Sequence, residues 1–464
     1  MKIQNYIFVL IILVGFTSCQ TMNQYKAPEI NNSSELYGKM ISSDTTTIAD
    51  IPWKDYFTDS FLVDLIDEGI TNNYDLQIAY TRIQQAEASL SMAKAAYFPN
   101  VSLVGQVNQS RNSNGEHGKD VLGYHSTNYT LGISAGWELD IWGKLNKQSK
   151  AKYAQFLNSH AYKNLIQTSL IANIATSYYS LLALDEKLAI TKKTIVLLKE
   201  NVETMEALKE AGLQNGAAVE QSKSLLYSTQ TSIPELESQI RQLENSLCTM
   251  LGRTPGGIIR TSIYEQDYPT HIEYGVPAQM LARRPDVQQA ELSFRSAFEL
   301  TNAAQANLYP SITLSSGTIG FGTSNTLSNF FKPENIFASI IGGLTQPIFA
   351  KKQLTGNLKI AKAQQQEALL TFEKTVLSAG QEVTDILLSF DSSLKKNSMR
   401  EKQVEACKKS VYFTRELLKA GDANYTEVLT AEQNLLSALL NQVNDKLEQL
   451  NCSVNLYRSL GGGR

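Results

Sequence analysis

One half of this chain restates the other, and that constrains its fold more than any other feature. Ala211-Gly212-Leu213-Gln214-Asn215 reappears as Ala420-Gly421-Asp422-Ala423-Asn424, and the same offset of 209 residues carries Val219 to Val428, Leu226 to Leu435 and Leu251-Gly252 to Leu460-Gly461. Upstream, Tyr97-Phe98-Pro99-Asn100 pairs with Leu308-Tyr309-Pro310-Ser311 at an offset of 211. So small a drift over so long a span means two copies of one structural unit with minor loop changes. The period is too long for a solenoid. The expectation is a duplicated half packed about a pseudo-symmetry axis.

The first residues set the compartment. Lys2 precedes an apolar run from Ile7 to Phe16, too short for a comfortable membrane-spanning helix, and Phe16-Thr17-Ser18-Cys19 follows. This pattern predicts a signal peptide over 1–18 with a bacterial lipobox. Small residues at Thr17 and Ser18 fit the peptidase, and the Cys19 thiol accepts lipid to become the mature N-terminus. Each buried CH₂ of the acyl chains contributes about 0.8 kcal/mol, so a multiply acylated cysteine anchors stably in outer-membrane lipid. Gln20 is not the aspartate that retains some lipoproteins at the inner membrane. Residues 19–50, rich in Asn, Ser and Thr, read as a lipidated tether. The net charge of −3 argues against a nucleic-acid partner. Cys248, Cys407 and Cys452 have no paired spacing and read as small hydrophobes within helices.

Two periodicities alternate along the folded body. Asp59 is placed to cap a helix ahead of Phe61, Leu62, Leu65 and Ile66. Pro99 ends that helical region, and Val101, Leu103 and Val107 then alternate with Ser102, Gln106 and Asn108, a period of two with one apolar face. A polar loop over 109–126 separates this strand from a second, in which Tyr129, Leu131, Ile133, Ala135, Trp137 and Leu139 alternate. The second half repeats the pattern in Ile312 to Phe321 and Ile336 to Leu344. There the apolar phase slips near Ser315-Ser316-Gly317, as a bulge would make it. Four strands are expected, two per half.

From Gly143 to Gly212 there is no intervening glycine or proline, and Leu181, Leu184, Leu188, Ile195, Leu198, Val202 and Met205 keep 3/4 spacing with Thr191 in register. A helix of that length runs roughly 100 Å. Beyond Gly212 the rhythm continues through Ile233, Leu236 and Ile240, and the second half echoes it on both sides of Gly421. These are coiled-coil seams. The expected organisation is a first repeat at 51–257 (hairpin 101–139, helix pair 145–252), a linker at 258–274, and a second repeat at 275–464 (hairpin 311–349, helix pair 351–460).

Four amphipathic strands cannot close a barrel, and bare strand edges in lipid cost several kcal/mol per unsatisfied group. Several chains must therefore pool their strands, which have the length a tilted outer-membrane strand needs. Trp137, Trp142, Tyr97, Phe98, Tyr309 and Phe349 fall at strand ends, where an interfacial aromatic girdle would lie.

Trp53-Lys54-Asp55-Tyr56-Phe57-Thr58-Asp59, Asn73-Tyr74-Asp75-Leu76 and Trp137-Glu138-Leu139-Asp140-Ile141-Trp142-Gly143-Lys144 resemble the TolC-like outer-membrane efflux lipoproteins of the NodT type. So do Val276-Pro277, Leu281-Ala282-Arg283-Arg284-Pro285-Asp286 and the closing Tyr457-Arg458-Ser459-Leu460-Gly461-Gly462-Gly463. The resemblance spans essentially the whole mature chain. It implies an α+β membrane protein assembled as a homotrimer, with a 12-stranded β-barrel and a 12-helix periplasmic barrel. It further implies a periplasmic adaptor and an inner-membrane transporter of RND type as partners, and passive exit of small molecules through the duct.

The resemblance also places adaptor docking at the helix-reversing turns, here Gly212, Leu213, Gly421 and Asp422. It places a periplasmic gate just beyond the second turn, at Tyr425, Glu427 and Thr430. A ring of Glu427 carboxylates about a threefold axis would repel one another and attract cations. Thr430 stands where an aspartate is common, which lowers the charge of any ring. Two other functions fit parts of the pattern: a structural periplasmic coiled-coil lipoprotein, and an outlet for type I protein secretion. No enzyme is expected. His117, His125, His160 and His271 lack metal-ligand spacing, and neither a phosphate-cradling loop nor a nucleophile motif occurs, so no cofactor or metal is implied.

Overall fold

The computed structural model of the chain describes residues 23–28, 48–112, 124–267 and 282–463. The signal peptide, Cys19, most of the 19–50 tether, the tip of the first strand hairpin, residues 268–274 of the linker, and Val276, Pro277 and Leu281 lie outside the described residues. The chain forms two units, one comprising residues 1–29, 83–158 and 290–372 and the other 30–82, 159–289 and 373–464.

The first unit is built on an antiparallel sheet. β1 (Asn100–Asn112) pairs with β2 (Tyr124–Leu139), which pairs with β3 (Ser311–Ser324). The far edge of β3 carries β4 (Ile336–Ser339) and then β5 (Gly342–Thr345). The expected fourth strand is thus broken, giving five segments rather than four among the described residues. The register supplies the reason. Between β2 and β3 it shifts by one residue at Ala135/Gly136, leaving Ser316 as the extra residue of a bulge. β4 pairs with β3 beyond that bulge and β5 before it, so Ile340 and Ile341 sit where the ladder is interrupted.

The described stretch of the expected tether, residues 23–28, also belongs to this unit. The Tyr25 ring packs edge-on against Phe298 and beside Phe294, and its hydroxyl donates to Glu291 at 3.3 Å. Lys147 Nζ and Asn302 Nδ2 donate to the Asn23 carbonyl. Trp142 stacks on Tyr309 and donates from Nε1 to Pro310 O at 2.7 Å, while Trp137 Nε1 donates to Tyr97 O at 2.8 Å. The indole N–H groups are thereby satisfied at the strand ends.

The second unit is helical, and the longer helices of the chain are α1 (Ser60–Asn72), α2 (Tyr74–Ala95), α3 (Lys144–Glu210), α4 (Gly216–Met250), α5 (Pro285–Ala306), α6 (Gln353–Ala420) and α7 (Tyr425–Ser459). The residue ranges of α2, α3, α5 and α6 each fall partly in one unit and partly in the other. α3 has 67 residues and α6 has 68, while α4 and α7 have 35 each. Asp59 caps α1 by accepting from Phe61 N. Leu62 and Ile66 of α1, Ile174, Tyr178, Leu181 and Leu182 of α3, Leu247 of α4, and Leu450 and Val454 of α7 form one core.

The duplication is visible in how each half closes. Asn73 Nδ2 donates to Met250 O at 2.8 Å, and at the equivalent positions Arg284 Nη1 donates to Ser459 O at 2.8 Å. Each carbonyl belongs to the last turn of a 35-residue helix, and each helix ends in a glycine of positive φ, Gly252 and Gly461. A Cβ on Gly252 would lie 2.5 Å from Asn72 O, so only glycine fits that approach. Arg284 is also clamped by Asp286 and Glu382, which gives the Arg-Arg-Pro-Asp motif a packing role. The closing motif acts similarly, since Tyr457 stacks on Tyr56 at 4.2 Å, donates to Ile51 O and accepts from Gly463 N.

The described part of the linker is a docked strap. Ile258 and Ile263 enter the core, and Arg260 pairs with Asp185 and Glu244. Cys248 and Cys452 are buried and Cys407 is half-buried, all as free thiols.

Candidate functional site

The sheet sorts most of its side chains by polarity, with Val104 and Phe337 as apolar exceptions on the polar face. The register brings Leu103 opposite Ile133 and Ile133 opposite Ile319, with Val101, Val107, Leu131 and Phe321 on the same face. Beyond the bulge the face continues through Trp137, Leu314, Ile312 and Leu344. Val101, Leu103, Val107, Ile133, Ile319 and Leu344 are largely exposed. The opposite face carries Ser102, Gln106, Asn108, Asn128, Thr130, Ser134 and Thr318. One edge of β1 and the outer edge of β4 and β5 have no strand partner among the described residues. In water such an apolar face would be a liability; it is what a strand presents to lipid. No described helix is long and apolar enough to cross a membrane.

The second feature is the pair of helix-reversing turns. At the first, Gly212 has φ 74°, Gly212 N donates to Lys209 O and Leu213 N donates to Leu208 O. At the second, Gly421 has φ 82°, with Gly421 N bonded to Leu418 O and Asp422 N to Leu417 O. Both are Schellman caps, in which a left-handed residue turns the chain and satisfies the last carbonyls of the helix. Asn215 and Asn424 then cap α4 and α7 by accepting from Ala218 N and Thr426 N. Gly212, Leu213, Gly421 and Asp422 are all exposed, Leu213 at 70 %. A Cβ on Gly212 or Gly421 would meet nothing within 4 Å. Each turn therefore presents a small, open surface with one apolar side chain at Leu213.

Behind the turns lies a layered packing. Met205 of α3, Ala218 and Val219 of α4, and Tyr425 and Val428 of α7 form a small core, flanked by Leu208, Leu418 and Leu429. Tyr425 is 2 % exposed, so its ring joins the two helical hairpins rather than lying free on the chain. Burial pushes its hydroxyl pKa up, and Glu432 adds to the rise. Glu427 and Thr430 are exposed on the first turns of α7, and the Thr430 hydroxyl donates to Thr426 O. The structure thus brings Tyr425 to the first hairpin but leaves Glu427 and Thr430 on the surface of the chain.

The next layer is polar, and no local motif in the sequence marks it. Glu432 is only 8 % exposed and accepts from Asn201 Nδ2 at 2.6 and 2.7 Å and from Arg415 Nη2 at 2.6 Å. Leu198, Val202 and Leu226 form an apolar layer beyond it. The repeat holds the signal that could have revealed this cluster. At the offset of 209, Arg415 and Glu432 correspond to Glu206 and Lys223, which are themselves paired at 2.8 Å with the charges exchanged. The first-half pair is more open to water. Among the described residues no group of His, Cys, Asp and Glu is arranged to hold a metal ion.

Comparison with known proteins follows the same outline. The "Probable outer membrane lipoprotein SilC" of Salmonella typhimurium is 26 % identical over 458 residues, covering 98 % of both chains. The "Toluene efflux pump outer membrane protein TtgC" of Pseudomonas putida is 28 % identical over 463 residues, covering 96 % of this chain and 93 % of its own. Among solved structures, the open state of the Neisseria gonorrhoeae MtrE outer membrane channel superposes with a TM-score of 0.83 at 25 % identity, covering 96 % of this chain and 98 % of that one. Residues 65–253 and 276–462 each match the family described as outer membrane efflux protein, one match per repeat. The chain belongs to the outer membrane efflux protein family.

Proposed function

We propose that three copies of this chain form the outer-membrane duct of a tripartite efflux pump and that small molecules leave through it passively. The observation that carries this is the sheet: an exposed apolar face, a polar face behind it, and two edges with no strand partner among the described residues. Three such sheets, joined edge to edge, satisfy every ladder and close a barrel whose polar faces line a passage. The long helices of three chains would continue that passage as a helical wall in the periplasm. A periplasmic coiled-coil lipoprotein would have no use for such a sheet.

The exposed turns at Gly212-Leu213 and Gly421-Asp422 are the docking points for a periplasmic adaptor, itself coupled to an inner-membrane transporter of RND type. Glu427 and Thr430 face the passage near its periplasmic end, and Tyr425 sets the spacing of the hairpins behind them. Cys19, acylated, holds the chain to outer-membrane lipid.

The test separates docking from folding. Asparagine tolerates positive φ, and both turns have room for a side chain. Gly212→Asn and Gly421→Asn should therefore fold and assemble normally, whereas Gly212→Trp and Gly421→Trp place bulk on the docking surface. In a strain lacking the native gene, the tryptophan variants should accumulate an efflux dye as the empty strain does, with wild-type oligomers in the membrane. Wild-type dye clearance by the tryptophan variants would sink the docking role.

A further inference from the structure

We propose that a cavity between α3, α4 and α7 binds an amphipathic carboxylate, whose head group pairs with Lys187 and whose apolar body lies against Leu225, Leu236, Leu436 and Leu440. The cavity measures about 400 Å³, within the range of small-molecule sites. All of its lining belongs to the helical unit of one chain.

The two halves of the chain differ at this level in a way that opens the site. In the second half, Lys396 on α6 pairs with Glu448 on α7 at 2.6 Å, and Arg400 pairs with Asp445 at 2.7 Å. At the offset of 209 the corresponding residues are Lys187 with Gln239 and Thr191 with Leu236. The lysine is kept while both carboxylates and the guanidinium are gone, and all four first-half residues line the cavity. Pro234 stands in place of the fully buried Val443. Proline has no N–H for the helix ladder, and its ring crowds the carbonyl four residues back, which loosens the helix there. The α4 residues that line the cavity, from Leu225 to Gln239, lie on both sides of it.

The chemistry left behind selects the ligand. Lys187 is half-buried and has no ion-pair partner among the described residues; burial lowers its pKa, with no carboxylate offsetting the shift. A charge withdrawn from water is ordinarily paired, because leaving it unpaired is costly. The one acid on the lining, Glu235, is exposed and accepts from Gln239 Nε2 at 3.3 Å. The Thr191, Ser228 and Thr229 hydroxyls already donate to carbonyls of their own helices. Lys187 is therefore the cationic donor open to an anion, and the four leucines favour one that carries an apolar body. A neutral or cationic amphiphile would leave the ammonium unanswered, and a dianion would exceed the single charge that meets it.

The experiment is calorimetric titration of the purified full-length protein in detergent with octanoate, and with 1-octanol and octylamine as neutral and cationic counterparts, each corrected by a protein-free detergent blank. Oligomeric mass and helix content are measured for every variant. Octanoate should bind saturably and about tenfold or more tighter than the other two, the worth of a hydrogen bond to a charged group. Lys187→Met should weaken octanoate by a similar factor. Gln239→Glu recreates the pairing of Lys396 with Glu448 and should abolish octanoate binding by supplying a carboxylate from the chain itself. Lys192→Met, which removes the neighbouring ammonium paired with the exposed Glu237, should bind octanoate as the wild type does. The site is overturned by the absence of saturable octanoate binding in the wild type, by equal affinity for octanoate and 1-octanol, or by undiminished binding in a correctly assembled Lys187→Met protein. Should that variant fail to assemble, undiminished binding in Gln239→Glu overturns it instead.

Discussion

Asp59 shows how much one carboxylate can organise. It accepts from the Tyr178 hydroxyl, the Thr261 hydroxyl and Gln266 Nε2, each at 2.7 Å, and from Phe61 N at 2.9 Å. These donors tie the docked strap and α3 to the start of α1. Burial alone would raise the Asp59 pKa, but the hydrogen bonds from Thr261, Tyr178, Gln266 and Phe61 outweigh it and hold the carboxyl below its ordinary value. A depressed folded-state pKa means the stabilisation is present above the unfolded-state value of roughly 3.9 and is lost as pH falls through the folded-state value. Asp59→Asn should lower stability at pH 7 by about 1–3 kcal/mol, since its amide N–H₂ faces groups that already donate. The gap between variant and wild type, read as the unfolding midpoint in detergent, should narrow only below about pH 4. A gap that is constant down to pH 3 would assign the effect to packing. Glu427 makes the opposite case, an exposed carboxylate whose proposed role depends on the assembly. Glu427→Ala should leave thermal stability unchanged while weakening block by divalent cations in reconstituted channels; identical block would return Glu427 to an ordinary surface residue.

Among the elements, the strands carry the sharpest constraint. Gly132 and Gly320 face each other across β2 and β3 on the polar side of the sheet. A Cβ on Gly320 would lie 2.3 Å from Leu131 O, and one on Gly132 would lie 2.8 Å from Ile319 O. The two strands coil tightly here, and glycine permits it. Gly320→Val should therefore abolish the heat-resistant oligomer on SDS gels while the helical circular dichroism persists; a normal heat-resistant band would show that the strands can relax. The elements also show what the sequence could disclose. Asp59 as a cap, the long helices flanking Gly212 and Gly421, and the phase slip at Ser315-Ser316-Gly317 were all legible, because each is a local pattern. The break at Ile340-Ile341 was not, because those residues are as apolar as their neighbours; the interruption comes from the bulge in the strand beside them. Pro234 lies inside α4 and the helix runs through it, since the packing of Val219, Leu226 and Leu247 holds it on both sides. The Asn201–Arg415–Glu432 cluster was hidden for a different reason. Its members lie on three helices and meet only by tertiary packing, and the exchanged charges at Glu206 and Lys223 become informative only once the repeats are compared position by position.

For the whole molecule, the decisive quantity is the number of chains. Among the described residues, a single sheet leaves the outer edge of β1 and the outer edge of β4 and β5 unpaired, and it exposes an apolar face beside them. In lipid the unpaired N–H and C=O groups of those edges would each cost several kcal/mol, far more than a domain's net stability can absorb. The two edges differ, so pairing like edge with like would use only one of them; joining β1 of one chain to β4 and β5 of the next is a head-to-tail contact that uses both, and such contacts close into rings. Each chain contributes four strand positions, because β4 and β5 share one. Two chains would make a barrel of eight, whose interior side chains fill, whereas three make twelve and leave a passage between the polar faces. The expected result for protein extracted from outer membranes is a mass, after detergent subtraction, about three times that of one chain, with β-structure that survives heating in SDS. A dimer would keep the closed sheet but leave no lumen for export. A monomer without heat-resistant β-structure would show that the sheet does not enter lipid at all, and the helical hairpins would then have to account for the protein by themselves.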